Sequence, residues 1–320
     1  MIWTKACRLL VVSVLREDRM LAKMAISIRA TAAILALSSA ATSLAGEPSK
    51  PQDGEPQREV IFADEFNASA LDRDKWNVVG PDFWVNREEQ AYVDDPSVLR
   101  VVDGIDGADG GALILRPLLR PGVDMGIERD ANFISGRINS KGKFDFTYGR
   151  AEARIRMPDA IGVWPAFWLL GNGRWPDTGE IDIMEYVGEK DWIGVALHGP
   201  GYSGETPLVN KFFFPEGLDV TDWHNYAVEW AADEIHFEVD GQLIYRVTRP
   251  MVEYYGKWRF DTPKHIILNF AVGGIYPLKT NGIEKPYIGV PEDTVEMIKT
   301  GEIAMLVDWV RVHAPKDDKD

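Results

Sequence analysis

The 320-residue chain has a single cysteine, Cys7, close to its N-terminus. One cysteine excludes an intramolecular disulfide and any metal site built from several thiolates. The five histidines lack the spacings typical of a metal site, no serine lies in a nucleophile elbow, and no glycine-rich phosphate loop is present. The sequence therefore gives no support to a disulfide-stabilised domain, a serine hydrolase or a nucleotide-binding enzyme.

Basic residues are also few. The chain has 35 lysines and arginines against 50 aspartates and glutamates, a formal net charge of −15. Such a polyanion is repelled by nucleic acids and anionic membrane surfaces, so we expect neither as a partner. The composition instead suits a neutral substrate.

Long apolar runs are scarce as well. Residues 30–37 form one short apolar run, preceded by Arg29 and followed by the small residues Ser43 and Ala45. The run is too short to span a bilayer, and its surroundings are typical of a secretory signal. We therefore expect cleavage near Ala45 and a secreted protein, extracellular or periplasmic. Losing six basic and two acidic residues would change the net charge from −15 to −19.

The rest of the chain shows no linker, repeat or low-complexity tract. A stretch rich in proline, glycine, glutamate and glutamine precedes about 255 residues of uniform composition. Translation could start at Met1, Met20 or Met24. The predicted organisation is a signal peptide with a possible N-terminal extension at 1–45, a flexible leader at 46–58, one catalytic domain at 59–314 and a charged tail at 315–320.

Strand patterns recur along the chain, whereas helix signals are scarce. Residues 235–239 and 243–247 alternate around Asp240-Gly241, a strong two-residue hairpin signal. Residues 265–272 and 305–313 resemble long buried strands. Many short strands separated by turns predict an all-β sandwich of two curved antiparallel sheets. The concave face of such a sandwich offers a groove for an extended polymer.

One segment concentrates carboxylates within an apolar strand pattern: Glu180-Ile181-Asp182-Ile183-Met184-Glu185. Strand residues alternate faces, so Glu180 and Asp182 share a side and Glu185 would point away. A β-bulge at Ile183-Met184 would bring all three acids to one side.

Such a bulge would leave the two glutamate carboxyl groups about 5–7 Å apart. A retaining glycosidase holds its carboxylate pair about 5–5.5 Å apart. Three acids arise by chance in so acidic a chain, and a solvated strand edge is the alternative interpretation. The apolar residues between the acids favour a cleft, because buried carboxylates without a task are costly.

Tryptophans cluster near these acids. Trp164, Trp168 and Trp175 are predicted to line the groove, since indole faces stack on the flat C–H faces of sugar rings. His198 lies in a turn-rich run that could project it into the same groove. Three other tryptophans are predicted to lie in the core: Trp76, Trp223 and Trp309.

Three runs carry a resemblance to a known family. They are Gly-Val-Trp-Pro-Ala-Phe-Trp-Leu-Leu-Gly at 162–171, Gly-Glu-Ile-Asp-Ile-Met-Glu-Tyr-Val-Gly at 179–188 and His-Gly-Pro-Gly-Tyr-Ser-Gly at 198–204. Together they resemble glycoside hydrolase family 16, and more narrowly the bacterial laminarinase-type endo-β-1,3-glucanases. Further matches, such as Lys-Gly-Lys-Phe at 141–144 and Val-Asp-Trp-Val-Arg-Val at 307–312, follow the family's order over nearly the whole mature chain.

The resemblance implies a β-jelly-roll sandwich and a role for each acid. Glu180 would be the nucleophile, Glu185 the acid/base, and Asp182 the residue that assists Glu180. Family members often carry a structural calcium, and Asp308 matches one position used for it; no cofactor is implied for catalysis. The implied substrate-binding residues are Asn86, Trp164, Trp168, Trp175, His198 and Asn269.

The implied activity is retaining, endo-acting hydrolysis of internal β-1,3-glucosidic bonds in laminarin-like glucans. Alternatives within the family are a mixed-linkage β-1,3-1,4-glucanase and an agarase- or carrageenase-type enzyme. A non-catalytic glucan-binding protein is the alternative from another class, although all three acids are present. The expected partner is a neutral β-glucan, and the expected state is a monomer.

The chain departs from the family pattern in places. Arg87 stands where the pattern usually has a second asparagine beside Asn86, on the non-reducing side of the groove. Residues 276–301 form a longer and more charged connection than usual before the last strand. Because of these departures, the resemblance does not fix the exact glucan or the number of sugar subsites.

Overall fold

The structure is a computed structural model that describes residues 58–316. The predicted signal peptide, Cys7, nearly all of the predicted leader and the last four residues lie outside the described residues. Within residues 58–316, no helix combines the length and the apolar character that crossing a membrane requires.

Most regular structure in the described part is β-strand. The strands are β1 Val60–Asp64, β2 Asn77–Val78, β3 Gln90–Tyr92, β4 Leu99–Asp103, β5 Gly111–Leu115, β6 Leu118–Asp124, β7 Asp130–Ser135, β8 Arg137–Asn139, β9 Gly149–Arg156, β10 Val163–Gly171, β11 Glu180–Glu185, β12 Trp192–His198, β13 Val209–Phe213, β14 His224–Trp230, β15 Glu234–Val239, β16 Gln242–Thr248, β17 Lys264–Val272 and β18 Met305–His313. The helices are α1 Arg249–Tyr255, α2 Ile275–Asn281 and α3 Glu292–Thr300.

Two large antiparallel sheets form the sandwich that the alternation pattern predicts. The eight-stranded sheet has the order β16-β15-β14-β9-β18-β5-β4, with β1 paired to β18. The seven-stranded sheet has the order β13-β12-β11-β10-β17-β8-β2, and it carries the strand with the acids. A small third sheet, β3-β7-β6, contains a parallel pair that the sequence did not predict.

The core contains the inward side chains of both large sheets. Ile155 on β9 and Phe237 on β15 are fully buried, as are Phe167 on β10 and Ile181 on β11. These side chains come from strands far apart in sequence, so the sandwich forms only when both sheets are assembled. The burial of Ile181 fixes which face of β11 remains for the groove.

The hairpin predicted at Asp240-Gly241 is confirmed. It joins β15 to β16, and both turn residues have left-handed backbone, with φ of 51° and 77°. A type I′ turn requires positive φ at both central residues, which an Asp-Gly pair supplies at low cost.

The long connection after β17 contains two of the three helices. α3 has Glu292 and Asp293 in its first turn and Lys299 in its last, and its buried side includes Val295 and Ile298. Acidic residues near the N-terminus of a helix and basic residues near its C-terminus interact favourably with the helix dipole and stabilise the helix. The charged character noted in the sequence therefore belongs to the exposed side of a packed helix.

The prediction that Trp223 lies in the core is wrong. Trp76 and Trp309 are buried, whereas Trp223 is only partly buried and lies one residue before β14. Its ring lies 5.1 Å from the guanidinium groups of both Arg154 and Arg156. The side chain covers the outer face of the sheet, where cation–π contacts with arginine replace core packing.

Candidate active site

A bulge in β11 places the acids. On the neighbouring strand β10, Phe167 pairs with Met184 and the next residue, Trp168, pairs with Asp182. Ile183 therefore has no partner on β10, and the register on β12 shifts over the same stretch. The bulge predicted at Ile183-Met184 is confirmed.

The bulge brings all three carboxylates to one groove. Leu170 lies opposite Glu180 and Ala166 lies opposite Glu185, four β10 residues apart. Four strand steps correspond to about 13 Å between the Cα atoms of the two glutamates. The groove has a volume of about 340 Å³. Its lining includes Glu180, Asp182, Glu185, Asn86, Trp164, Trp168, Trp175 and Asn269.

Each carboxylate has a specific neighbour. The Trp164 indole donates its Nε1 hydrogen to Glu185 Oε1 over 2.9 Å. His198 Nε2 lies 3.2 Å from Asp182 Oδ2 and 3.8 Å from Glu180 Oε1. The sequence placed His198 in the groove wall; the structure places it against the carboxylates, at the end of β12 opposite Glu180.

Burial dominates the electrostatics of this cluster. Removal from water and, to a smaller extent, the charge of Asp182 raise the pKa of both Glu180 and Glu185 to about 8. Burial also raises the pKa of Asp182 well above its ordinary value. Carboxyl groups that stay protonated near neutral pH can act as general acids.

Tryptophans form the wall around the acids. The Trp168 indole donates to Asn269 Oδ1 over 2.8 Å, so the buried amide of Asn269 fixes that ring. Trp175 is 46% exposed, and its ring centroid lies 6.4 Å from that of His198. An exposed indole beside buried carboxylates is a suitable surface for stacking a sugar ring.

Arg137 and Phe83 are among the groove residues that the sequence did not predict. The guanidinium of Arg137 lies 4.2 Å from the Phe83 ring and 4.9 Å from the Trp168 ring, inside the groove. Arg137 is on β8, which pairs with β17 so that Arg137 lies opposite Asn269. The pairing joins residues more than a hundred positions apart, and nothing in the sequence around Arg137 indicated it.

Two places in the described residues carry acidic side chains relevant to metal binding. Among residues 58–316, one group brings His, Asp or Glu ligand atoms within 4.8 Å of one another, namely Glu180, Asp182 and His198. These are two of the groove carboxylates and the histidine beside them, so the group coincides with the candidate active site.

The surroundings of Asp308 do not favour calcium. Its buried carboxylate forms an ion pair with Arg154 and accepts a hydrogen bond from the Asp109 main-chain N–H. Calcium needs six to eight oxygen ligands, whereas a guanidinium already supplies the positive charge here. The calcium suggested by the resemblance stays a prediction.

Comparisons with known proteins agree with the fold. The family description "Glycosyl hydrolases family 16" matches residues 120–286. A β-glucanase from Rhodothermus marinus is 36% identical over 238 residues, which cover 70% of this chain and 79% of that protein.

Two solved structures share the jelly-roll architecture. The endo-β-1,3-glucanase from Pyrococcus furiosus aligns with a TM-score of 0.69 and 33% identity, covering 80% of this chain and 94% of that one. The laminarinase catalytic domain from Thermotoga maritima MSB8 aligns with a TM-score of 0.68 and 29% identity, covering 82% of this chain and 100% of that one. With the bulged strand of acids and the tryptophan-lined groove, these matches show that the chain belongs to glycosyl hydrolase family 16.

Proposed function

We propose that this chain is a retaining endo-glycosidase that hydrolyses internal β-1,3-glucosidic bonds of laminarin-like glucans. The single observation that carries the proposal is the β11 bulge, which turns Glu180, Asp182 and Glu185 into one tryptophan-lined groove. The relatives named for β-1,3-glucan hydrolysis support the choice of substrate.

The mechanism has two displacements. Glu180, ionised, attacks the anomeric carbon while Glu185 donates its proton to the departing glycosidic oxygen, giving a covalent glycosyl-enzyme. Glu185 then takes a proton from water, which attacks the same carbon and releases Glu180. Asp182 lies between the two glutamates in the strand and favours the proton staying on Glu185.

The nucleophile must lose its proton although burial raises its pKa. Two neighbours oppose that effect at Glu180: the nearby His198 and a hydrogen bond from the Trp175 side chain. Glu185 has a matching set of influences: burial and the charge of Asp182 raise its pKa, the nearby His198 and a hydrogen bond from Trp164 lower it, and the result is again about 8. The electrostatic surroundings of the two glutamates are therefore similar, and their different roles are supported by the match of residues 179–188 to the family motif, in which the first glutamate is the nucleophile and the last the acid/base.

Separate variants of the glutamates test the roles. Glu180→Gln and Glu185→Gln should each lower laminarin hydrolysis by at least about a thousandfold. Azide should rescue Glu180→Ala as the α-glycosyl azide and Glu185→Ala as the β-glycosyl azide, since azide replaces the nucleophile in the first and water in the second. Near-normal turnover by either glutamine variant would reject the assignment.

The stereochemical course and the linkage are checked independently. NMR of the first product formed should show retention of the β-configuration, and inversion would rule out Glu180 as nucleophile. A reducing-sugar assay over laminarin, lichenan, agarose and carrageenan, with product sizing, should show laminarin cleaved fastest and into oligosaccharides. A preference for lichenan, agarose or carrageenan would contradict the proposed substrate. Binding of laminarin without hydrolysis would contradict the proposed enzyme activity and indicate a glucan-binding protein.

We further propose that the protein is exported and acts as a monomer. The basic residue, short apolar run and small residues before position 46 support export, and the net charge of −15 suits a neutral glucan rather than nucleic acid or anionic membrane. N-terminal sequencing of protein recovered outside the cytoplasm should begin at Gly46. A retained precursor would contradict the proposed cleavage.

A further inference from the structure

Tyr276 connects the long insertion to the acid/base. It is the second residue of α2, directly after β17, and its ring packs edge-on against Trp164 with centroids 5.5 Å apart and an interplanar angle of 86°. A Cβ atom added to Gly194 would lie 3.2 Å from the Tyr276 hydroxyl oxygen. Gly194 pairs with Glu185 across β11 and β12. The tyrosine therefore extends from α2, past Trp164, to the strand beside Glu185.

Trp164 needs such support because its other side faces the groove. Its indole donates to Glu185 Oε1 over 2.9 Å while the ring lines the substrate groove. A ring held only by β10 could pivot and carry its N–H away from the carboxylate. The edge contact from Tyr276 restricts that movement, and the absence of a side chain at Gly194 leaves room for the phenol.

The groups that face Glu185 come from four elements. Glu180 and Asp182 come from its own strand, His198 from β12, Trp164 from β10 and Tyr276 from α2. Among them the indole N–H is a hydrogen-bond donor that carries no charge and does not titrate. It can therefore orient one carboxyl oxygen in both protonation states of Glu185.

We propose that Tyr276 is a positioning residue for the acid/base. It holds the Trp164 indole, whose N–H keeps the Glu185 carboxyl directed at the glycosidic oxygen. This inference rests on the proposed function, in which Glu185 donates the proton. It gives the insertion at 276–301 a role in catalysis, because its first helix, α2, places the Tyr276 ring against Trp164.

The test compares two leaving groups. The departing sugar oxygen of laminarin needs a proton. A 2,4-dinitrophenyl β-laminaribioside instead releases 2,4-dinitrophenolate, which departs without one. The ratio kcat/KM reports only steps up to the glycosyl-enzyme, so it isolates proton donation. Tyr276→Ala should lower kcat/KM on laminarin by about tenfold to a hundredfold and change that on the dinitrophenyl substrate by less than about threefold. Trp164→Phe also alters the groove wall, so it should lower kcat/KM on both substrates, with the larger loss on laminarin.

Conservative and remote variants complete the design. Tyr276→Phe keeps the ring and should stay within about twofold of the wild type on both substrates. Tyr254→Ala removes a tyrosine that is 82% exposed on α1 and serves as the matched control, with no change expected. The alkaline limb of the laminarin profile should move to higher pH in Trp164→Phe, because loss of the N–H donor raises the pKa of Glu185.

Each outcome is decisive. Equal losses on both substrates, or no loss in Tyr276→Ala, would overturn the positioning role. If Tyr276→Ala does not fold, Tyr276→Leu provides the same comparison. Full laminarin turnover by Glu185→Ala would instead overturn the proposed function, so the two failures are distinguishable.

Discussion

Neutralising Glu185 should stabilise the protein, and more so at alkaline pH. Burial, followed by the charge of Asp182, raises the pKa of this carboxyl from 4.5 to about 8. The folded protein therefore holds a proton that the unfolded chain releases. Between those two pH values the unfolded chain binds fewer protons than the folded protein, so the free energy of unfolding falls as pH rises. Glu185→Gln removes the titration and leaves an oxygen to accept the Trp164 hydrogen bond.

The magnitude follows from the size of the pKa change. One pKa unit corresponds to about 1.36 kcal/mol, so a carboxyl moved to about 8 would cost at most about 5 kcal/mol when ionised. The proton is shared with Glu180 and Asp182, and the site can relax toward water. We therefore expect Glu185→Gln to raise the free energy of unfolding by about 2–3 kcal/mol at pH 8.5 and by less than about 0.5 kcal/mol at pH 5.

Thermal and urea unfolding at several pH values measure this difference. A gain of 2–3 kcal/mol corresponds to a rise in Tm of about 4–10 °C for a domain of this size. Glu216→Gln, at an exposed position between β13 and β14, controls for the loss of one negative charge. If Glu185→Gln changes the Tm equally at pH 5 and pH 8.5, or lowers it at pH 8.5, the argument from burial is wrong.

Three further predictions concern the groove wall, the loop that carries it and the bulge. Trp175→Ala removes an indole that is 46% exposed and that hydrogen-bonds Glu180, so it should raise KM about 5- to 30-fold and also lower kcat, as measured by laminarin kinetics. Lys264→Met leaves three main-chain carbonyls without their buried donor and should lower the Tm by about 6–12 °C in a thermal scan. Deleting Ile183 removes the unpaired residue but leaves Glu185 opposite Ala166, so activity per folded molecule should stay within about tenfold of the wild type while stability falls by about 2–4 kcal/mol. Hydrolysis normalised to active-site titration checks this, and a fully inactive folded deletion variant would refute it.

Local patterns predicted the strands because each pattern has a local cause. The hairpin at Asp240-Gly241 depends on two residues that accept positive φ, and the bulge at Ile183-Met184 depends on the parity of a six-residue segment. Such features need no information about distant partners. Their prediction from sequence therefore succeeded to within one or two residues.

The neighbours of the acids could not be predicted in the same way. Arg137 reaches the groove only through the pairing of β8 with β17, and Tyr276 only through the direction in which α2 leaves the sheet. His198 was expected in the groove, yet nothing in its turn-rich run indicated that its Nε2 atom would lie 3.2 Å from the Asp182 carboxylate. These contacts depend on how distant segments pack, so periodicity carries no signal for them.

The same strand explains how the fold tolerates its site. The core side of β11 buries Ile181, Ile183 and Met184 almost completely, while the other side carries the acids. Burying three such apolar side chains contributes about 1.5–3 kcal/mol each, comparable with the several kcal/mol that a buried, partly ionised carboxylate cluster costs. The bulge adds an apolar residue to the core side at the point where a regular strand would have turned the last acid away from the groove. The bulge thus keeps Glu185 facing the groove although the strand contains an extra residue, and that residue, Ile183, supplies part of the stabilisation that offsets the burial of the acids.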